Sequence, residues 1–381
     1  MNEYDAVIVG GGIMGCLGAY QIAKNGGRVA VVERAAIGNA QAGSAGITRS
    51  LRSDYQDEQY AALAREAWDL WLALQQEWGV PVLQTTGCLN VATGAAPQPY
   101  AQSAAAWLAR DQRRHQIFKG ELALRARFPQ LRGFTFGVLE PAAGLGFPRR
   151  ALQILKEKLQ AAPGCQLYEH TAVEKIVARD GRVEILTKTQ NLRAKKLIIA
   201  AGLGSPQLLQ QIESCRYQLP LAAARPTECL YYIPREPAAY QAEALPAFAC
   251  LDDGIYAHPI VAGLTPGLKI GRYHPPAAIH QSYEQGAASI RAFMRQHMPQ
   301  LAASARITAV TNTDQCAYDM TPDGGFALGP VPGQPAIFLA AGFCGTGYKF
   351  APVVAEAIAD FAGDARSRHN ISVFDPARFS V

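Results

Sequence analysis

The chain has 381 residues, of which 49% are hydrophobic and 18% charged, a balance that excludes a disordered protein and, at this length, implies two packed domains. Lys and Arg number 36 against 31 for Asp and Glu, leaving a formal charge of +5; this suits anionic small molecules, but no basic run is dense enough for nucleic acid or a membrane surface. No stretch of about 18 uninterrupted apolar residues exists to cross a membrane, no basic-then-apolar leader opens the chain, and the eight cysteines (16, 88, 165, 215, 229, 250, 316 and 344) lack the CxxC or His-Cys clustering of a metal site or disulfide framework, so the expectation is a cytoplasmic protein with reduced, mostly buried thiols and no metal.

The first 35 residues read strand, turn, helix, strand. Tyr4 to Val9 is a short apolar run, Gly10 to Gly15 a glycine turn, and Cys16 to Lys24 a helix of small and apolar residues stopped by Asn25-Gly26-Gly27; Arg28 to Val32 is the second strand. Asp57 to Trp78 is strongly helical, with Tyr60, Leu63, Ala64, Ala67, Trp68, Trp71, Leu74 and Trp78 on one stripe that reads as core packing. From Gly79 to Pro148, short apolar runs are broken by Gly and Pro. Arg149 to Ala161 is helical again, and Gln166–Val173, Val183–Thr187 and Leu197–Ala201 read as strands. Tyr217 to Tyr273 is rich in strand formers, Ser282 to Met298 is an amphipathic helix, Ile337–Ala340 a strand and Ala351–Phe361 a helix.

Gly10-Gly11-Gly12-Ile13-Met14-Gly15 has the form GxGxxG between a strand and a helix, the context in which this motif binds a dinucleotide. Gly10 permits the tight turn, Gly12 admits a pyrophosphate to the positive helix end, and Gly15 lets helix and strand approach. Glu33 closes the second strand, about 20 residues on, where a carboxylate accepts ribose hydroxyls. NAD and FAD both use such a unit, and the motif by itself does not choose between them.

Four further segments do choose. They are Gly43-Ser44-Ala45-Gly46-Ile47-Thr48-Arg49-Ser50-Leu51-Arg52, Gly267-Leu268-Lys269-Ile270-Gly271, Cys316-Ala317-Tyr318-Asp319-Met320-Thr321-Pro322-Asp323, and the run from Ala340 through Gly342, Cys344, Gly345 and Gly347 to Lys349-Phe350. With the glycine motif, they make the chain resemble the monomeric sarcosine oxidase and N-methyltryptophan oxidase family of the glycine and D-amino-acid oxidase superfamily, from Asp5 to about Phe361.

The resemblance implies an α/β fold: a Rossmann-type FAD-binding domain assembled from residues 1–85, 149–215 and 320–381, and a substrate domain on a mixed sheet from residues 86–148 and 216–319. It implies FAD held by Gly10, Gly12, Ile13, Met14, Gly15, Glu33, Arg34, Ser44, Thr48, Val173, Gly202, Gly345, Gly347 and Lys349, and linked covalently through a thioether from Cys316. Arg52 and Lys349 are expected on the substrate carboxylate, Arg49 near the flavin ring, and Lys269 where a cation stabilises superoxide. On a helical turn Arg49 and Arg52 would share a face. Tyr256 and Tyr318 resemble positions lining the substrate pocket, and a packed aromatic is the alternative for each. The turn before the last helix is expected to favour negative charge on the reduced ring.

The activity this implies is oxidation of a small secondary or cyclic amino acid to an imine with release of hydrogen peroxide, by a monomer whose partners are the amino acid and oxygen. The alternative is a dehydrogenase passing electrons to a non-oxygen acceptor. The sequence departs from the family at Ala45, where sarcosine oxidases carry histidine, at Ala327-Leu328-Gly329, where an aspartate is usual, and at Tyr273-His274, which sets a family histidine one residue out of step.

Overall fold

The computed structural model describes residues 2–40, 42–96, 98–179, 181–223, 229–273, 283–309 and 317–380. The chain divides into two compact units, residues 1–45, 148–225 and 317–381, and residues 46–147 and 226–316. By compactness, residues 46–85 therefore group with the second unit rather than with the nucleotide domain in which the sequence reading placed them. Backbone pairing is the reason: Arg49–Leu51 and Leu83–Thr85 both pair antiparallel with Gly144–Gly146. Residues 216–225 group with the first unit, where Tyr217 and Leu219 join the core and the Tyr217 hydroxyl donates to Pro376 O at 3.0 Å.

In the first unit the opening apolar run forms the strand Asn2–Val9, parallel to Val29–Val32 on one side and to Asn191–Ile199 on the other; Cys165–Tyr168 extends the sheet beyond Val29–Val32. These central strands are nearly continuous in apolar residues because both faces are covered. The helix Ile13–Lys24 packs against the helices Pro148–Ala161 and Ala351–Ala362. Gly18 permits the second contact, since a Cβ there would lie 2.9 Å from Ile358 Cγ2.

Asn191–Ile199 is longer than the expected Leu197–Ala201. Residues 191–194 pair antiparallel with 183–186, and residues 197–199 pair parallel with 337–339 of the strand Gln334–Ala341. Its first half alternates, with Leu192 and Ala194 buried and Arg193 and Lys195 exposed. This is the period-two pattern of a strand with one wet face. The expected strand Gln166–Val173 is two elements: Cys165–Tyr168 ends, His170 turns at φ 53°, and Val173 begins Val173–Arg179 rather than ending a strand. The amides of His170 and Thr171 bond to Ala35 O and Glu33 O instead of continuing the ladder.

The second unit is built on an eight-stranded sheet. Its order is Arg306–Ala309, Cys229–Ile233, Leu268–Arg272, Ile255–His258, Ala247–Cys250, Cys88–Ala92, Phe136–Glu140, Gln116–Lys119. Every neighbouring pair is antiparallel except Ala247–Cys250 with Cys88–Ala92. One face is apolar, with Leu230, Tyr232, Leu268, Ile270 and Phe248 packed on Ile290, Phe293 and Met294 of the helix Tyr283–His297. The helix Glu58–Trp78 is capped by Asp57, whose carboxylate accepts the Tyr60 amide, and ends at left-handed Gly79; its tryptophan stripe is buried. The α/β reading, with a Rossmann-type sheet and a second mixed sheet, holds. Among the described residues no helix is long and apolar enough to cross a membrane, and none of the seven described cysteines is in a disulfide.

Candidate active site

The parallel strands of the first unit all run in one direction, so the ends at Val9, Val32, Ile199 and Ala341 lie along one edge, where such sheets bind ligands. Gly10 follows Val9 at φ 118°, and an added Cβ would sit 2.3 Å from Ala200 O. At Gly15 a Cβ would lie 2.0 Å from Gly10 O, so the helix starts in direct contact with the turn. Gly12, the N-cap of that helix, is different: a Cβ there meets only Ser44 Oγ, at 3.7 Å. Protein packing leaves room above Gly12. Ser44 Oγ accepts the Ile13 amide at 3.2 Å. Glu33 accepts the Gly11 amide at 2.7 Å through one oxygen and the Ala35 amide at 2.8 Å through the other, which ties the glycine turn to the end of the second strand. Arg34 beside it is exposed.

The turn after Gln334–Ala341 is fixed from Tyr318 and Asp319. The Asp319 carboxylate accepts the Gly342 amide at 2.9 Å, and its carbonyl accepts the Cys344 amide at 3.2 Å. Burial raises the Asp319 carboxyl above its ordinary range, with the backbone N–H groups of this turn pulling it back. The Tyr318 ring lies against Gly345, where a Cβ would be 2.6 Å from it. Lys349 is buried at the 3-10 turn Gly347–Phe350 and donates to Thr346 O at 3.1 Å. Gly202, at φ 53°, opens the turn after Asn191–Ile199. Cys316 lies outside the described residues, as does His274.

In the second unit, the sheet face opposite the helix Tyr283–His297 carries polar side chains. Register places Tyr231, Lys269 and His258 side by side in one row and Cys229, Gly271 and Tyr256 in the next. Lys269 is 1% exposed, so it is not the solvated, outward-facing lysine that an isolated strand would suggest. The Tyr256 ring covers Gly271, and its hydroxyl is 3.3 Å from Cys229 Sγ. His258 is buried and held at both ring nitrogens: Nδ1 shares a hydrogen bond with Thr48 Oγ1 and Nε2 with Ser50 Oγ, each 2.8 Å. Thr48 and Ser50 flank Arg49, whose Nη1 donates to Thr48 O at 3.0 Å. Arg49 lies in the strand Arg49–Leu51, not on a helical turn, so the shared helical face expected for Arg49 and Arg52 does not exist. Pairing with Gly144–Gly146 extends the backbone there.

Arg52 sits in a second polar group of the same unit. Its Nη1 donates to Asp54 Oδ1 at 2.5 Å and to the Tyr100 hydroxyl at 2.9 Å. The rings of Tyr55 and Tyr100 stand 5.2 and 5.7 Å from the guanidinium. Burial opposes its charge, yet Asp54 more than compensates and raises its pKa. Asp54 is 1% exposed and also accepts from Asn90 Nδ2 at 2.7 Å. Next to it, buried Glu140 accepts from the Ser53 amide and hydroxyl and pairs with Arg113 at 3.3 Å. Burial raises the Glu140 carboxyl, as does the charge of Asp54. Among the described residues, Nε and Nη2 of Arg52 make no hydrogen bond to protein, which leaves one two-pronged edge of the guanidinium for a ligand.

A family model described as FAD dependent oxidoreductase matches residues 5–361. The chain belongs to that family. It is 28% identical over 391 residues to human peroxisomal sarcosine oxidase, covering 99% of this chain and 96% of that one. It is 29% identical to monomeric sarcosine oxidase from Bacillus sp. (strain NS-129), covering 98% and 96%. Among solved structures, L-proline dehydrogenase from P. horikoshii superposes with a TM-score of 0.84 at 19% identity over 99% of this chain and 98% of that one, a likeness of fold.

The first unit fits the family's cofactor. Gly12 is glycine although neither its φ of −77° nor a protein neighbour demands it, which is what close approach of a pyrophosphate to a helix N-terminus requires. The Glu33 carboxylate is already oriented by two amides and retains lone pairs for ribose hydroxyls. Gly329 lies under Pro376, and a Cβ there would be 3.0 Å from Pro376 Cδ. Sequence reading missed His258, Asp54, Asn90 and Glu140. A polar residue inside an otherwise apolar strand was the available signal for His258, Asn90 and Glu140, as it had been for Lys269.

Proposed function

We propose that the chain oxidises a small N-substituted amino acid, secondary or cyclic, at the C–H bond next to nitrogen, releasing an imine and using oxygen as the acceptor. The observation that carries this reading is the state of Arg52: one nitrogen bonded to Asp54 and Tyr100, the guanidinium beside the rings of Tyr55 and Tyr100, and, among the described residues, no hydrogen bond to protein from Nε and Nη2. That edge matches a carboxylate in a bidentate pair. The similarity to sarcosine oxidases supports an amine as the other half of the substrate.

When bound, FAD supplies the two-electron chemistry, giving hydrogen peroxide as oxygen is reduced. The residues of the chain supply binding and charge. Gly10, Gly12, Ile13, Met14 and Gly15 with Glu33, Arg34, Ser44, Val173 and Gly202 are assigned to the dinucleotide, and Gly345, Gly347 and Lys349 to the turn that stabilises negative charge near the ring. Thr48 was expected to serve the cofactor as well, but its hydroxyl holds His258, so its contribution is through that contact. Lys269 is assigned to oxygen reduction, where a buried ammonium stabilises superoxide. Arg49 is assigned a place by the ring, and Tyr256 and Tyr318 shape the substrate site.

Anaerobic mixing of the holoenzyme with a panel of N-methyl and cyclic amino acids should bleach the flavin absorbance with at least one member. A panel that never bleaches it overturns the substrate class. Bleaching without peroxide on admission of air favours a dehydrogenase with another acceptor. Covalent attachment at Cys316 belongs to the same proposal: after acid precipitation the yellow colour should stay with the protein pellet, and Cys316→Ser should release it to the supernatant.

A further inference from the structure

Arg52 is not a lone cation. Asp54 is bonded to it at 2.5 Å and is fixed in place by Asn90, itself 2% exposed. Glu140 and Arg113 nearby pair with each other, so Asp54 is the carboxylate bonded to Arg52 itself. Tyr55 and Tyr100 stay neutral, because burial raises both hydroxyls. A simple carboxylate approaching the Nε/Nη2 edge meets an attraction from Arg52 and a repulsion from Asp54 across a partly buried space. A ligand that also carries a cation gains from Asp54 what its carboxylate loses.

We propose that Asp54 is a specificity-determining residue that cancels the charge of Arg52 and makes the site prefer zwitterionic ligands over simple carboxylate anions. This rests on the reading of Arg52 as the carboxylate ligand. Allowing for solvent screening, a like charge beside the guanidinium is expected to weaken a simple anion about tenfold. Asn at position 54 keeps an acceptor for Nη1 while removing the charge, so it separates the electrostatic role from the positioning role.

The test compares two ligands of the same shape, trimethylglycine and 3,3-dimethylbutanoate, which differ by a nitrogen cation in place of a carbon. Calorimetric Kd values for the holoenzyme, for Asp54→Asn and for Arg52→Gln provide the readout. Wild type should bind trimethylglycine more tightly. Asp54→Asn should tighten 3,3-dimethylbutanoate about tenfold and change trimethylglycine less than about threefold. Arg52→Gln should weaken both. An unchanged or weaker 3,3-dimethylbutanoate Kd in Asp54→Asn, with Arg52→Gln still weakening both, overturns the role of Asp54 and leaves the reading of Arg52 standing. Undiminished binding in Arg52→Gln overturns both. Wild type favouring 3,3-dimethylbutanoate overturns the proposal without any variant having to fold.

Discussion

Replacing Arg52 with glutamine is expected to lower kcat/KM for the best amino-acid substrate about a thousandfold, the effect of removing one partner from a desolvated, bidentate charge pair. The same change has a second cost. Asp54, 1% exposed, is left without its counter-ion, and removing one member of a buried pair destabilises a protein by about 3 kcal/mol. The two effects separate in the double variant Arg52→Gln/Asp54→Asn. It should regain most of the lost stability in urea unfolding, because no buried charge remains uncompensated, while kcat/KM stays low. A single variant within tenfold of wild type would remove Arg52 from substrate binding.

Lys269→Met is expected to slow reoxidation of the reduced enzyme by oxygen about a hundredfold to a thousandfold, with anaerobic reduction by substrate almost unchanged. One electron transferred to oxygen creates superoxide, and a cation held in a low-dielectric site stabilises that charge with no reorganisation. Lys269 is 1% exposed between Tyr231 and His258 on its sheet face. Methionine fills similar volume without the charge, so the face stays packed. Stopped-flow measurement of the two half-reactions distinguishes this from general damage, which would slow both. Equal losses in both half-reactions would assign Lys269 to packing.

The strand–turn–helix–strand unit and the carboxylate tied to its turn were legible in the sequence because they are local. Gly10, Gly12, Gly15 and Glu33 are set by one strand–turn–helix–strand unit, and each stands where the spacing put it. The long helices were legible for the same reason, through periodicity. Arg49 was misjudged because three-residue spacing suggests a helical turn, whereas pairing with Gly144–Gly146, about a hundred residues away, makes that segment extended. The strand Asn191–Ile199 was shortened because its first half carries Arg193, Lys195 and Lys196, and only the partner strand reveals the alternation as one-sided burial. Asp54, Asn90 and Glu140 were invisible as a group. They come from three separate segments, and nothing in the spacing of 54, 90 and 140 announces that Asn90 bonds Asp54 while Glu140 bonds the adjacent Ser53.

The double use of Asn191–Ile199 has a consequence for biosynthesis. Its second half takes Gln334–Ala341 as a parallel neighbour, and the Gly342–Gly347 turn follows directly. A nascent chain still attached to the ribosome at residue 300 has the glycine motif, Glu33 and the adjoining strands, but an open sheet edge where Gln334–Ala341 will dock. Such an edge is a template for wrong pairing. Closing this unit therefore waits on a segment translated more than a hundred residues after the strand it joins, which makes chaperone supply during synthesis, rather than the stability of the finished fold, the first quantity to adjust when the protein is overexpressed.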